Sequence, residues 1–420
     1  MKFNKWTLGL AAIGVVSLAS AVQAEERDNP VMTALSSTSI SGYVDTAAVW
    51  RFGNNTSKAG AGTGWLVPGA VNANPATAAA YQNKADIFNL NAVGLTLEKP
   101  LDEAEWSAGY RVDMVYGPDI VGWNPSVNSF GVSDFGLKQA YIVLRAPVGN
   151  GLDFKLGTFD TVVGFESFEA YKNPHWTRSY GWEIQPTQHT GATVSYRFNE
   201  MVALSAGVAN TAATGINARP ARAGLPPGQI VSETEKTYLA SLTLTAPESL
   251  GFLAGSTLNA GVVNGLAGGV SDTTWVYVGG VMNTPLEGLK LGAAYDYRMT
   301  SHKGDITSPA YVPGTHAYTI AGYLMYQATE KLNLAARVDY AKGTAGTWYF
   351  IGGGESDPKN QLLGITGTVD YKLWENVITR LEFRWDHELT GQKSSASTPG
   401  PFGFDDNNNY LLALNVIYRF

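Results

Sequence analysis

The strongest constraint on this chain is an alternation of period two. Between Val377 and Asp386, Val377, Thr379, Leu381, Phe383 and Trp385 fall on one face, and Ile378, Arg380, Glu382, Arg384 and Asp386 on the other. Successive side chains of a strand point to opposite faces, so one side of this segment is apolar and the other largely charged. A helix would mix the two sets around its circumference. The pattern recurs. Trp106, Ala108, Tyr110, Val112 and Met114 oppose Ser107, Gly109, Arg111 and Asp113. Leu289, Leu291, Ala293, Tyr295 and Tyr297 oppose Lys290, Gly292, Asp296 and Arg298. Leu332, Leu334, Ala336, Val338 and Tyr340 oppose Asn333, Arg337 and Asp339. Ala192, Val194, Tyr196 and Phe198 oppose Thr193, Ser195 and Arg197, and the last segment carries Tyr410, Leu412, Leu414, Val416, Tyr418 and Phe420 on one face.

Sixteen such segments are expected, near 38–50, 87–99, 105–116, 135–146, 151–160, 187–198, 201–210, 235–246, 256–264, 272–284, 289–300, 316–327, 332–341, 361–373, 377–388 and 408–420. Those at 151–160, 256–264 and 272–284 are the least regular, which leaves fourteen or eighteen strands open. An even number is what a single-chain bacterial outer-membrane barrel requires. The links alternate as well. Long loops at 51–86, 117–134, 161–186, 211–234, 301–315, 342–360 and 389–407 exchange with short ones such as Asn199-Glu200, Thr329-Glu330 and Trp374-Glu375-Asn376; the exception is 265–271. Short periplasmic turns and long outer loops are the mark of an outer-membrane barrel, and they place both termini in the periplasm.

Composition narrows the choice further. The chain has 47 Gly, 21 Tyr, 16 Phe and 11 Trp, yet after its first 24 residues no apolar run long enough for a membrane helix. Residues 1–24 read as a cleaved signal peptide: Lys2 and Lys5, an apolar stretch from Leu8 to Ala19, then Val22-Gln23-Ala24 before Glu25. With no Cys, a lipid-anchored lipoprotein and a disulfide framework are excluded. The net charge is −7, and the leader holds two Lys and no acid, so the remainder is near −9. That argues against nucleic acid as a partner. A soluble sandwich also alternates, but it has no reason to exchange long and short links or to place aromatics at both ends of its apolar face. Trp106 with Tyr116, Leu289 with Tyr297, and Tyr410 with Tyr418 and Phe420 read as interfacial girdles. Because a bilayer forbids unpaired strand edges, the sheet must close. The fold expected is all-β: a transmembrane antiparallel barrel over 38–420, after a periplasmic segment at 25–37.

Particular residues point to a family. Gln139-Ala140-Tyr141 with Pro147 and Gly151-Leu152, then the run from Gly157 to Glu166 (GTFDTVVGFE), resemble the OmpL-like β-barrel porin family. Asn173, Arg178-Ser179-Tyr180, His189-Thr190-Gly191 and, in the first strand, Gly42-Tyr43-Val44-Asp45 fit the same pattern. The resemblance runs over nearly the whole chain after the leader and is densest at 135–198. It implies an outer-membrane channel without a defined substrate. The strand ending in Phe420 resembles the C-terminal signal read by the barrel-assembly machinery. Outer-membrane lipid and lipopolysaccharide are the expected surroundings, and the wider porin group suggests a homotrimer, for which Gly42, Thr46 and Ala48 offer a small-residue patch.

A barrel of about sixteen strands is too wide for its own side chains to fill, so it leaves an aqueous channel. The inward faces carry Arg111, Arg145, Lys155, Arg197, Lys290, Arg298, Arg337, Lys372, Arg380 and Arg384. They also carry Asp45, Glu98, Asp113, Asp153, Asp296, Asp339, Asp370, Glu382 and Asp386, which makes ten basic groups against nine acidic. Against lipid a mid-membrane Arg or Lys would cost roughly 2–4 kcal/mol. Facing water these charges are cheap, as a wall network, an ion filter or both. Their near balance predicts neither anion nor cation preference.

The loop 161–186 is the candidate constriction. Its Phe165, Phe168, Tyr171, Trp176, Tyr180 and Trp182 would pack onto the inner wall, while Glu166, Glu169, Lys172, His175, Arg178 and Glu183 face the solute path; the other reading is a cap over the outer mouth. A substrate-specific sugar or peptide channel stays open, as does an adhesin. An enzyme is poorly supported. Of His175, His189, His302, His316 and His387, only His387 adjoins a carboxylate, Asp386, and neighbours on a strand face opposite ways. No cofactor is implied, and with no Cys and no paired His spacing neither is a metal.

Overall fold

The computed structural model describes residues 31–32, 37–52, 84, 87–102, 106–120, 135–212, 214–218, 235–266, 272–301, 314–344, 360–390 and 407–420. The leader expected at 1–24, most of the segment 25–37, His302, and most of every long loop except 161–186 lie outside the described residues. A two-residue strand β1 (Val31–Met32) pairs with the start of β2 (Ser39–Phe52). There follow β3 (Ile87–Lys99), β4 (Ser107–Tyr116), β5 (Phe135–Ala146), β6 (Leu152–Asp160), β7 (Gln188–Arg197), β8 (Val202–Ala209) and β9 (Thr237–Thr245). Then come β10 (Thr257–Leu266), β11 (Asp272–Asn283), β12 (Leu289–Thr300), β13 (Thr315–Gln327), β14 (Leu332–Gly343), β15 (Asn360–Trp374), β16 (Val377–Glu388) and β17 (Asn408–Arg419).

Each strand from β2 to β17 pairs antiparallel with the next, and β17 pairs with β2, Leu414 opposite Ala48, so the sheet closes on itself. The sixteen barrel strands are the sixteen segments read from alternation, the three least regular included. Closure removes every edge, which is the condition for a sheet to stand in hydrocarbon. The first and last barrel strands meet at one rim. The Gly42 N–H donates to the Phe420 carbonyl at 2.8 Å, and the Phe420 N–H returns a bond to the Gly42 carbonyl at 3.0 Å. The two-residue turn Glu375-Asn376 lies at the same rim, where the Arg419 N–H reaches the Asn376 carbonyl. Asn376 takes φ +64° there, a conformation that an Asn side chain tolerates.

The outer face is greasy from rim to rim: Leu381 and Phe383 are 49% and 48% exposed on β16. Aromatics stand at the strand ends, with Trp106 73% and Tyr418 48% exposed. The inner face departs from expectation. Glu382 and Arg384, which alternation assigns to channel water, are 0% and 1% exposed. The polar face of this wall is drier than the apolar one, because part of the chain lies over it.

Among the described residues three register shifts interrupt the pairing; one skips Leu373 beside the β15–β16 turn, and the other two set polar residues inward. Between β2 and β3 the pairing jumps from Asp45–Ala92 to Thr46–Leu90, leaving Asn91 without an opposite number. Between β4 and β5 it jumps from Asp113–Gln139 to Met114–Leu137, leaving Lys138. A bulge adds one residue to one strand and re-aims its side chain. Both bulged residues are buried inside the barrel, Asn91 at 0% and Lys138 at 1% exposure.

Candidate functional site

The covering segment is the loop 161–186. Its two ends are neighbours: the Thr161 N–H donates to the Thr187 carbonyl at 3.0 Å, and the His189 ring lies 3.0 Å from the Thr161 hydroxyl. From that neck the chain turns inward at Gly164, whose φ of +116° is open to glycine and strained for other residues. It then runs across the interior. Phe165 stacks on Tyr323 of β13 with ring centroids 4.2 Å apart. Val163 and Phe165 join Leu239, Val263, Trp275, Tyr277 and Ala294 in one apolar cluster. Phe168, Ala170 and Trp176 join Tyr43, Ala47, Val49, Leu411, Ala413 and Ile417 in another. The single helical turn α1 (Tyr180–Ile184) approaches β12 so closely that a Cβ on Gly181 would lie 2.3 Å from an Asp296 carboxylate oxygen. Along β2 and β17 the inner face offers the loop Tyr43, Ala47, Val49, Leu411, Ala413 and Ile417, with Asp45 and Asn415 bonded to each other between them.

Polar contacts clamp the loop to β14, β15 and β16. The Trp176 and Thr177 N–H groups both donate to the Glu382 carboxylate, at 2.6 and 2.9 Å, and the Thr368 hydroxyl donates to it at 2.8 Å. His175 Nδ1 lies 2.7 Å from that hydroxyl. Arg380 donates to the Ala170 and Asn173 carbonyls at 2.6 and 3.0 Å, and to Asp370 at 2.8 Å. Arg337 donates to the Thr177 and Arg178 carbonyls at 3.0 and 3.1 Å and to Glu166 at 2.9 Å. Arg384 donates to the Arg178 carbonyl, and the Tyr180 hydroxyl donates to Asp386 at 2.7 Å. Glu166 in turn accepts the Ser179 N–H and hydroxyl at 2.8 and 3.0 Å. These wall residues sit in mid-strand, so the loop lies at mid-height in the barrel.

Two of the three clamp arginines share a device. Arg337-Val338-Asp339 and Arg384-Trp385-Asp386 place Arg and Asp two residues apart on the same face. The Arg Nε binds that Asp, at 2.7 Å for Arg337 and 2.9 Å for Arg384, which aims the remaining N–H groups at the loop carbonyls. Burying a guanidinium is costly unless carboxylates and acceptors meet every donor, and charge-assisted bonds of this geometry are the strong ones.

The opposite wall, β3 to β7, is different. Arg111-Val112-Asp113 repeats the device, with Nε to Asp113 at 3.0 Å, but the fork turns to Glu98 at 3.2 Å and keeps contact with water. Asp113 also accepts from Thr96 and Gln139, both at 2.7 Å. Arg145 pairs with Asp153 at 2.7 Å. Lys155 Nζ stands over the Tyr141 ring at 4.7 Å and the Phe159 ring at 5.8 Å. The bulged Lys138 ties this wall to the loop: it binds Asp160 and, at 2.9 Å, Glu169. The bulged Asn91 bridges Asp45 at 2.8 Å and Lys84 at 2.8 Å, and Lys84 binds Asp119 at 2.5 Å.

The loop aromatics pack as expected, with Phe165, Phe168, Trp176 and Tyr180 buried and Tyr171 and Trp182 half-buried. The expectation for the loop charges is reversed: Glu166, Glu169, His175 and Arg178 turn away from the path and are buried against the wall. A loop cannot bury its aromatics against the wall and leave its polar backbone unmatched, so the charges satisfy the contact. Only Lys172 and Glu183 keep contact with water. Among the wall residues read as pore-lining, Asp113, Asp296, Arg337, Asp339, Arg380, Glu382, Arg384 and Asp386 are buried rather than open to the channel. Arg111, Arg145, Arg197 and Arg298 are half-buried.

Burial and the cations Arg337, Arg380 and Arg384 push His175 well below the ordinary histidine range, so it is neutral. Burial opposes the charge on Glu169, but Lys138 and Lys172 outweigh it and hold this carboxyl below the usual carboxylate range. Burial, with Glu166, drives Glu183 up to about 8 against the pull of Arg384 and Arg178. Asp386 and His387 point to opposite faces, the first to Arg384 and the second to Asn408 at 2.9 Å.

Sequence reading misses Lys138, Asn91, Lys84 and Thr368. The one available signal is Lys138-Gln139, two consecutive polar residues inside a strand, which a strict alternation forbids.

A closed sixteen-stranded barrel, greasy outside and lined by charge within, defines an outer-membrane porin channel. The chain belongs to the family described as Putative beta-barrel porin-2, OmpL-like, whose pattern spans residues 37–420. Solved structures share the fold at low identity. The outer-membrane channel DcaP of Acinetobacter baumannii is 11% identical, with 93% of this chain and 100% of that one covered and a TM-score of 0.55. The anion-selective porin from Comamonas acidovorans is 12% identical, with 91% and 99% covered and a TM-score of 0.54. OmpT of Vibrio cholerae is 12% identical, with 93% and 100% covered and a TM-score of 0.51. A search of curated proteins by sequence returns no match.

Proposed function

We propose that ions and small hydrophilic solutes cross this porin by passive diffusion through the water left beside the loop 161–186, which forms the narrowest part of the channel. The observation that carries this reading is the clamp: loop backbone from Ala170 to Arg178 bonded to mid-strand Arg337, Arg380, Glu382 and Arg384. A loop held at that depth takes cross-section from the lumen, and charge and pore width set selectivity in such channels. Among the inward residues that keep contact with water are Arg111, Tyr141, Lys155 and Ser195 on the wall, with Lys172, Trp182 and Glu183 on the loop.

Deleting 168–180 and recording single-channel conductance tests the reading. A several-fold rise is expected; an unchanged conductance removes the loop from the narrow part. The same reading takes residues 1–24 as a cleaved export leader, the strand ending at Phe420 as the assembly signal, and lipopolysaccharide with outer-membrane lipid as the surroundings. A homotrimer is in keeping with it, since Vibrio cholerae OmpT has been solved in a trimer form. Thr46 and Ala48 lie on the outer side of β2, opposite Val416 and Leu414, where a second copy would pack.

A further inference from the structure

The loop 161–186 is not the only segment that turns into the barrel. After β4 the chain bends at Gly117, whose φ is +125° and where a Cβ would stand 2.6 Å from the Asn91 carbonyl oxygen. Only glycine takes that conformation at so close an approach to β3. The bend sends the short helical turn Pro118–Ile120 inward, and the Ile120 N–H closes it on the Gly117 carbonyl at 3.3 Å. Ile120 is 1% exposed and shares an apolar cluster with Phe168 and Trp176 of the loop. Since β4 ends at the rim of the long connections and the loop lies at mid-height, the turn sits over the loop on that side.

A buried ion pair fastens the turn. Asp119 meets Lys84, just before β3, at 2.5 Å, and the two side chains are both out of water. Lys84 Nζ also donates to Asn91 at 2.8 Å and lies 6.0 Å from the centre of the Trp176 ring, so it adjoins the loop as well. Asn91 donates to Asp45, which accepts from Asn415 of β17 at 2.7 Å. The bonds therefore run from the turn to β3, β2 and β17, and their bridge is the residue that the β2–β3 bulge sets inward. A connection between strands can stay in water without desolvating a charge. This one desolvates two, and each would be stranded without the other. The covered sector is wide. From β13 round to β2 the inward side chains at mid-strand are dry, Thr319, Arg337, Thr368, Glu382 and Asn415 among them. Those that keep water contact run from Glu98 and Arg111 to Ser241 and Asn259, on β3 to β10.

We infer that Lys84 is a positioning residue of the channel. Through Asp119 it holds the turn Pro118–Ile120 over the loop 161–186 and closes the sector of the lumen beside β2. Solutes are thereby confined to an off-centre path along β4 to β10. The inference rests on the porin reading above and adds a second inward segment that sets the width of the path.

The test takes two readings on the refolded full chain. In planar bilayers Lys84→Met, which leaves Asp119 without its cation, should raise single-channel conductance by about half and add flicker as the freed turn moves. The second reading uses a thiol. The chain has no Cys, so Ile120→Cys introduces a single reporter. A water-soluble maleimide should label it about tenfold faster when Lys84→Met is added, because the turn then opens more often. Lys84→Arg, which keeps a cation in the pair, should stay near wild type on both readings. Should Lys84→Met not assemble, Asp119→Asn removes the other charge at nearly constant shape and is judged by the same two readings. Wild-type conductance together with an unchanged labelling rate would overturn the inference, as would rapid labelling of Ile120→Cys with Lys84 in place. Conductance that rises on deleting 168–180 but not in Lys84→Met or Asp119→Asn sinks this inference alone; no rise in the deletion sinks the reading beneath it.

Discussion

The same three-residue pattern, arginine, apolar residue, aspartate, stands on two walls of the lumen and has two outcomes. On β14 and β16, Arg337 and Arg384 bind their own aspartates and turn further donors to loop carbonyls, Arg337 also to Glu166. Both guanidinium groups are out of water. On β4, Arg111 binds Asp113 in the same way, but its side chain stays 21% exposed and its fork meets Glu98. The motif fixes how the arginine lies along its strand. Whether it becomes a clamp or part of the water path depends on what is laid over it. A charge pair under a loop is held at a high energetic stake, because removing one partner strands the other in a dry site. A pair at the water is worth little to stability and acts through its field.

The contrast can be broken at several points. The largest effect is expected at the clamp. Arg337→Met leaves Glu166 and Asp339 buried without their cation, at a cost of about 3–5 kcal/mol. The variant should melt at lower temperature, and its loop should become sensitive to protease and its conductance noisy; a wild-type melting curve would show that the clamp carries no such stake. A middle effect is expected at Glu183. This carboxyl is neutral below about 8 and gains its negative charge as pH rises through that value. The cation-to-anion permeability ratio should accordingly rise between neutral pH and about pH 9 in wild type, and Glu183→Gln should make that step smaller in reversal-potential measurements. The smallest effect belongs to the wet wall. Arg145→Gln breaks a partly exposed pair with Asp153 and should change stability by less than about 1 kcal/mol in a denaturant titration. A loss as large as that of Arg337→Met would erase the distinction between the walls.

Much of the fold was legible because two solvents write on every strand. Val377 to Asp386 separates hydrocarbon-facing Leu381 and Phe383 from inward Glu382 and Arg384 without knowledge of any neighbour, and every barrel strand carries some version of that record. The arginine–aspartate spacing was equally visible, since residues two apart share a face. The bulges were not. Counting back from Tyr141 and Arg145 puts Lys138 among lipid-facing residues; only the broken register against β4 turns it inward to Asp160 and Glu169. The clamp was hidden for another reason. Trp176 and Glu382 are 206 residues apart, and nothing in either neighbourhood announces the other.

By itself the sequence determined the closed barrel, the faces of its strands and the amphipathic character of the loop 161–186, because these follow from local periodicity and from the rule that a sheet in lipid has no edges. Tertiary structure alone decided which charges are dry and which are wet. The loop could satisfy its carbonyls and N–H groups against any wall of suitable donors and acceptors, and its seating on β14 to β16 withdrew one set of ion pairs from water while leaving Arg111 and Lys155 on the far wall beside it. Exposure depends on contacts made across the width of the barrel, and no stretch of neighbouring residues encodes them.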